Sequence, residues 1–372
     1  MKKEWEYKKL GDITVFSQGI QVDVNLQTET FSPGKVRFLR IIDVTQGNVP
    51  PRYIDDPGEK YYLKADEIAM VRYGTIGFVC YGIEGVIANN LFKISIKDKS
   101  KLQSSYLQYF LKSDLFQSHI RKSVGGAALP SIKFGDIKHI MLGIPPLSEQ
   151  KEIVEYLDSS FAKIDKLKEN AAKNLEEAKA LFQSALKEAL ESKKGWEYKA
   201  LKDICTQLFA GGDVPKPNVS KKATTDFYIP IYSNGVENEG LYGYTDDARV
   251  NEPAVTISAR GTIGALFRRY KPFFPAIRLI TAVPNKDLLS VEFLFYALKV
   301  FTVRNSGTSI PQLTIPNIKK VTIPIPPLSE QQEIVSRLDS LNEKVNTLQQ
   351  NYSRICDECD ALKQAILRQV FE

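Results

Sequence analysis

Histidine is nearly absent from this chain of 372 residues, which holds only His119 and His139. Both lie in the first half, so an acid-base or metal site built on histidine cannot recur in the second. Cysteine is scarce too, and Cys80, Cys205, Cys356 and Cys359 lack the spacing of a disulfide framework, so reduced thiols are expected. Cys356 and Cys359 form a C-x-x-C without a second pair; a structural zinc needs four ligands, and no metal site is expected. No apolar run is long enough to cross a bilayer, and Met-Lys-Lys-Glu-Trp-Glu-Tyr at the start lacks the apolar stretch of a secretion signal. A cytoplasmic protein without membrane contact is expected.

Catalytic signatures are missing as well. There is no phosphate-cradling G-x-x-x-x-G-K-[ST] and no G-x-G-x-x-G opening a helix. Ile144 and Ile325 precede the two Pro-Pro pairs, where an amino-methyltransferase needs Asp or Asn to hold the exocyclic amine. Glu6-Tyr7-Lys8 and Glu197-Tyr198-Lys199 resemble the tail of a metal-nuclease signature but have no suitably placed upstream Asp. A non-catalytic chain is expected; an unrecognised nuclease stays as an alternative, decided by metal-dependent cleavage.

What is present is a repeat. Trp5-Glu6-Tyr7-Lys8-Lys9-Leu10-Gly11-Asp12-Ile13 returns as Trp196-Glu197-Tyr198-Lys199-Ala200-Leu201-Lys202-Asp203-Ile204. Gly74-Thr75-Ile76-Gly77 returns as Gly261-Thr262-Ile263-Gly264, and Ile144-Pro145-Pro146-Leu147-Ser148-Glu149-Gln150 as Ile325-Pro326-Pro327-Leu328-Ser329-Glu330-Gln331. Matches in one order at start, middle and end mean two copies of one unit. Between them the copies diverge, as in Val86 to Ile94 against Phe273 to Ile280. Hydrophobic residues at 43% and charged residues at 25% mark folded domains rather than a disordered chain.

Each copy ends in a segment free of Gly and Pro, from Ser148 to about Glu191 and from Ser329 to about Val370. Pro-Pro stops the preceding strand, Ser148 and Ser329 are placed to cap, and Glu149 and Glu330 suit the positive helix end. Each helix would run about 60 Å at 1.5 Å per residue. Heptads predict a seam of Leu338, Val345, Tyr352, Cys359 and Ile366 with Leu341, Leu348, Ile355 and Leu362 in the second helix. In the first it is Leu157, Ile164, Ala171, Ala178 and Ala185 with Leu167 and Leu181, interrupted by Ser160, Asn174 and Glu188. The Ala-rich stripe suits a bulkier partner helix, which favours antiparallel pairing within the chain over a homo-oligomeric coiled coil. The expected fold is α+β: a domain at 1–143, a spacer helix at 144–194, a second domain at 195–324 and a second helix at 325–372, with a pseudo-two-fold internal repeat.

The charge lies in the globular parts. Residues 1–143 hold 20 Lys and Arg against 15 Asp and Glu, and residues 196–324 hold 16 against 11. The helices are near neutral, with 9 against 10 over 144–195 and 5 against 8 over 325–372. Basic heads fit phosphate contact, since displacing counterions drives nucleic-acid binding. The clusters Lys35, Arg37 and Arg40; Lys221 and Lys222; and Arg260, Arg268 and Arg269 are the candidate contacts. Arg72 and Arg260 stand before the Gly-Thr-Ile-Gly turns, where Gly74, Thr75 and Gly77, and Gly261, Thr262 and Gly264, could bring backbone amides close to a ligand. A coiled-coil scaffold with two protein-binding heads is the alternative from another class, and it predicts no steep salt dependence on DNA.

The duplicated Ile-Pro-Pro-Leu-Ser-Glu-Gln and Trp-Glu-Tyr-Lys phrases, the two glycine turns, and Gly125 to Ile132 with its looser match Gly307 to Ile315 resemble the specificity subunits of type I restriction-modification enzymes. The resemblance spans nearly the whole chain. It implies two target recognition domains, each reading one half of a bipartite site on double-stranded DNA, with the helices setting the gap. It also implies two modification subunits that methylate adenine with S-adenosylmethionine, and restriction-translocase subunits that use ATP and magnesium, so that none of these cofactors is held by this chain. By the same resemblance both glycine turns, with Asn89 and Asn90, lie near DNA; the second copy has Ala276 and Ile277 in the comparable stretch. A specificity module of a related methyltransferase or nuclease assembly is the neighbouring reading.

Overall fold

A computed structural model of the protein describes residues 5–124, 130–191, 195–260, 262–305 and 313–372. The chain divides into two compact units, one of Met1–Ala171 with Ser353–Glu372 and the other of Ala172–Tyr352. Each is a mixed α and β structure, and each receives the start of one long helix and the end of the other.

In the first unit β1 (Glu6–Lys9), α1 (Leu10–Ile13), β2 (Thr14–Gln18), β3 (Lys35–Leu39), α2 (Ile41–Thr45) and β4 (Arg52–Asp55) come first. Then come β5 (Tyr62–Leu63), β6 (Ile68–Val71), β7 (Val79–Tyr81), β8 (Gly85–Ile87) and β9 (Leu91–Ile96). Next are α3 (Ser104–Lys112), α4 (Asp114–Val124), α5 (Phe134–Lys138) and β10 (Met141–Ile144). The long helix α6 follows as Leu147–Ala189. One sheet has the order β2-β9-β6-β7, another β4-β3-β8-β5, and β1 pairs with β10. β6 reads Ile-Ala-Met-Val and is buried throughout, the continuous apolar run that a strand covered on both faces requires.

The second unit repeats this plan. It contains β11 (Glu197–Ala200), α7 (Leu201–Ile204), β12 (Cys205–Ala210), β13 (Ile229–Tyr232), β14 (Leu241–Thr245) and β15 (Ala254–Ile257). β16 (Leu266–Arg269), β17 (Phe274–Pro275), β18 (Ile280–Pro284), α8 (Val291–Asn305), α9 (Ile315–Ile318) and β19 (Thr322–Ile325) complete it. The second long helix, α10, is Leu328–Phe371. The order β12-β18-β15-β16 matches the first sheet, β14-β13-β17 matches three strands of the second, and β11 pairs with β19 as β1 does with β10. The expected α+β internal repeat is therefore present, with β5 alone lacking a counterpart strand among the described residues.

The repeated Pro-Pro-Leu-Ser-Glu-Gln phrase acts as a fastening. Gln150 is fully buried; its amide donates to the carbonyls of Pro145 and Lys101 at 2.8 Å each and accepts from the backbone N–H of Gln103 at 2.9 Å. Gln331 does the same, donating to Pro326 and Leu288 and accepting from the N–H of Ser290 at 3.0 Å. The preceding glutamates accept the indole N–H of Trp5 and Trp196, each at 3.0 Å. The helices start at Leu147 and Leu328, two residues before the position expected from Ser148 and Ser329 as caps. The carbonyls of Pro146 and Pro327 accept the N–H of Gln150 and Gln331 at 3.0 Å, so proline occupies the capping position and glutamine supplies the polar contacts.

Within the first unit α6 and α10 run antiparallel. Lys168 pairs with Asp360 at 2.8 Å, and Asp165, one turn earlier, pairs with Lys363, one turn later. The seam differs from the heptads. Leu157, Ile164 and Leu338 are buried, and Leu341, Val345, Ile355 and Ile366 are half-buried, as expected. Leu167 and Leu181 are 53% and 63% exposed, and Leu348 and Leu362 are 38% and 50% exposed. In α6 the second row falls one residue later, on Phe161, Leu175, Phe182 and Ala189. The cause is that this row faces its own domain: Phe161 meets Tyr109 of α3 at 5.5 Å between ring centroids, and Phe182 meets Tyr296 of α8 at 6.4 Å. Ser160, Asn174 and Glu188, which broke the expected row, lie off the seam.

Burial pushes the thiols of Cys80 and Cys205 up to about 12, leaving both protonated. Among the described residues no group of three or more His, Cys, Asp or Glu side chains could hold a metal, and no helix is long and apolar enough to cross a membrane.

The corrected seam sets an expectation for stability. Leu338→Ala should cost about 2–5 kcal/mol, whereas Leu181→Ala and Leu362→Ala should each change stability by less than about 0.5 kcal/mol, as read from urea unfolding midpoints.

Candidate nucleic-acid interface

In the first unit β6 runs into the glycine turn, where Gly74 and Gly77 take φ of +89° and +80°, the left-handed region that only glycine enters without cost. The turn closes through the Gly77 N–H on the Val71 carbonyl at 3.0 Å, and Gln117 of α4 braces it by donating to the Gly77 carbonyl at 2.9 Å. Thr75 is exposed at its tip. In the second unit Gly264, with φ +86°, donates to the Ser258 carbonyl at 2.9 Å, so Ser258 stands where Val71 does. Thr262 is exposed; Gly261 lies outside the described residues, as do 125–129 and 307–312 from the two further matching phrases.

This register changes the pairing of the basic residues. Val71 opposite Ser258 puts Arg72 opposite Ala259 and Tyr73 opposite Arg260. Arg72 is tied into the frame: its N–H donates to the Asn90 carbonyl at 2.8 Å and its Nε to the Ile132 carbonyl at 3.3 Å. Arg260 is exposed and forms no hydrogen bond or ion pair among the described residues.

A second turn meets the first. Ala88 bridges Ile20, and Ala276 bridges Gly212, so Asn89 and Asn90 occupy the place of Ile277 and Arg278; this moves the comparison of the copies by one residue from Ala276 and Ile277. The Asn89 amide accepts from the Tyr73 hydroxyl at 3.2 Å and donates to Gln21 at 3.1 Å. Gln18 donates to the Asn89 carbonyl at 3.5 Å. The Oδ1 of Asn90 is buried without a partner. In the second unit Asn234 joins the two turns, accepting from the Ala259 N–H at 2.8 Å and donating to the Ile277 carbonyl at 2.5 Å. Sequence reasoning missed Gln18, Gln21, Tyr73, Asn234 and Arg278. The Ser233-Asn234-Gly235 turn phrase was a usable signal for Asn234; the others show only in three dimensions.

The remaining candidates divide by what already holds them. Arg37, Lys222 and Arg260 are exposed and available to phosphates. Lys221 sits 4.1 Å from the Tyr242 ring centroid. Lys35 pairs with Asp55 at 3.0 Å. Arg40 is spent on capping α2: it donates to Asp43 at 2.7 and 3.0 Å and to the Pro50 carbonyl at 2.8 Å. Arg268 and Arg269 are corrected from contacts to internal struts. Arg268 pairs with Asp339 at 2.7 Å over Phe295 and Tyr296. Arg269 is 3% exposed, donating to Thr256 and Glu239 while packed 3.5 Å from the Tyr232 ring centroid. Burial pulls its guanidinium below the ordinary range. For Asp339, burial alone would raise the carboxyl, but the hydrogen bonds of Arg268 and Tyr296 hold it below the usual carboxylate range.

The profile of the type I restriction modification DNA specificity domain matches residues 2–177 and 193–355. The chain is 34% identical over 214 residues to the putative type I specificity subunit S.MpnORF507P of Mycoplasma pneumoniae, covering 57% of this chain and 58% of that protein's length. It is 31% identical over 254 residues to S.MpnORF89P of the same organism, covering 65% of this chain and 73% of that one. The type I restriction enzyme MjaVIII specificity subunit of Methanocaldococcus jannaschii is 22% identical over 381 residues, with 92% and 87% covered. Two solved structures share the fold at 19% identity. One is a chain of a type I R-M system, with a TM-score of 0.82 over 100% of this chain and 98% of that one. The other is the HsdS subunit from Thermoanaerobacter tengcongensis, at 0.59 over 100% and 97%.

Arg269→Ala is expected to lower the melting temperature while leaving the salt slope of DNA binding unchanged, because it strands the Thr256 hydroxyl inside the fold and empties the packed space beside Tyr232. Arg260→Ala should leave melting unchanged and reduce the slope of log K against log salt by about 1. Fluorescence anisotropy across a salt series separates the two.

Proposed function

Because the chain belongs to the type I restriction-modification DNA specificity family, we propose that each unit reads one half of a bipartite site on double-stranded DNA and that α6 and α10 set the spacing between the halves. The observation that carries this is a shared frame with different contents: the same strand order, glutamine fastening and glycine turn present Asn89 and Asn90 in one unit and Ile277 and Arg278 in the other. A scaffold that bound one protein twice would have no use for that difference.

On this reading the chain performs no chemistry. S-adenosylmethionine, ATP and magnesium act on partner subunits, which are two adenine-methylating modification subunits and restriction-translocase subunits. Leu167 in the first unit and Leu181 and Leu348 in the second leave apolar surface on the long helices, which supports docking of modification subunits there. The complex would work in the cytoplasm, where its DNA is.

The methylated motif in host genomic DNA, with and without the gene, tests the reading. Loss of one interrupted, asymmetric motif on deletion is expected, and an unchanged methylation pattern contradicts it. Replacing residues 1–143 with those of a relative should change one half of the motif and leave the other intact. Adding a whole heptad to both helices should change the gap while the bases read stay the same.

A further inference from the structure

The turn Ala276–Leu279 of the second unit is closed by the Leu279 N–H on the Ala276 carbonyl at 3.1 Å. Its two central residues are Ile277, with φ of 53°, and Arg278, with φ of 61°. Consecutive left-handed residues belong to Asn and Gly, and a β-branched side chain there is the least favourable choice. The surroundings hold the conformation. The N–H groups of Ile277 and Arg278 donate to the carbonyls of Gly212 at 2.8 Å and Gly211 at 3.0 Å, and Asn234 donates to the Ile277 carbonyl. Gly211 makes this approach possible, since a Cβ there would lie 2.4 Å from the Pro275 carbonyl oxygen. A frame that would welcome Asn-Gly instead carries two large side chains, and backbone strain kept in this way marks a place where the side chains are used.

Both side chains stand outside the core. Ile277 is 45% exposed. Arg278 is exposed and its guanidinium has no hydrogen bond or ion pair among the described residues, unlike Arg268 and Arg269, which are committed inside the fold. Arg278 shares the wall of one small recess with Arg260 and Thr314. We propose that Arg278 is the base-reading residue of the second unit, donating its guanidinium fork to O6 and N7 of a guanine in the major groove. Ile277 covers the neighbouring base edge, and Arg260 contacts the adjoining phosphate. In the first unit the same place holds Asn89 and Asn90, so one frame presents different side chains in its two copies. This proposal rests on the DNA-reading function above.

The test uses the full chain co-expressed with its modification subunits in a host lacking them, with the methylated motif read from genomic DNA. The wild type should show a bipartite motif with an obligatory guanine in one half. Arg278→Ala should relax that position, with discrimination falling roughly 5- to 150-fold, and leave the other half unchanged. Arg278→Lys, which keeps charge but loses the fork, should relax it similarly. Arg278→Gln should shift preference at that position toward adenine, a gain that misfolding cannot produce. The proposal is overturned if Arg278→Ala keeps the full motif, or if all three variants weaken methylation evenly at every sequence, which would mark a phosphate contact. A wild type without any bipartite motif would instead sink the DNA-reading function, and this proposal with it.

Discussion

Two glutamine amides, Gln150 and Gln331, hold the rest in place. Each is sealed from water, and each meets a strand end, a loop and a helix start through three hydrogen bonds. A buried amide left unpaired costs about 1–3 kcal/mol per group, so any other placement of the helix start strands several groups at once. Trp5 and Trp196 lock the same corner from the far side through Glu149 and Glu330. The long helix and the first strand of each unit are therefore set relative to that unit's sheet by polar geometry that tolerates little error, while apolar contacts supply the bulk of the burial.

This explains why the phrases at the start and end of each unit repeat so faithfully. Trp-Glu-Tyr-Lys and Pro-Pro-Leu-Ser-Glu-Gln are two halves of one joint. The Glu-Tyr-Lys run is an edge strand, with Lys8 paired to Glu6 at 3.0 Å and Lys199 to Glu197 at 3.1 Å. The segments that diverged are free to do so because the joint, not the loops, carries the fold.

Much of the architecture was legible because it rests on repetition and on long Gly- and Pro-free stretches. The strand before each glycine turn, the strand before each Pro-Pro and both long helices follow from local pattern. The second row of the seam did not, because Leu167 and Leu181 fit a heptad better than Phe161 and Phe182, and only packing against α3 and α8 decides between them. The candidate site was legible in part. Basic residues announce themselves by type but not by partner, so Arg40, Arg268 and Arg269 read like Arg37 and Arg260 until Asp43, Asp339 and Glu239 are seen beside them. Arg278 was hidden for the opposite reason: the sequence match sets Ala276 and Ile277 against Asn89 and Asn90, one residue short of it, and only the bridges at Ala88 and Ala276 restore the register.

The end of α10 has a kinetic meaning for a chain made from its N-terminus. Phe371 lies 5.4 Å from Tyr106 and 5.6 Å from Phe110 between ring centroids, and Leu367 and Val370 are buried in the same core. The first unit is thus translated early but completed last, after all of Ala172–Tyr352 has been made. Until then its α3 face stays uncovered, and closing so long a loop slows the final docking. The nascent protein passes through a stage with one finished unit and one open, the period in which it most needs protection from aggregation.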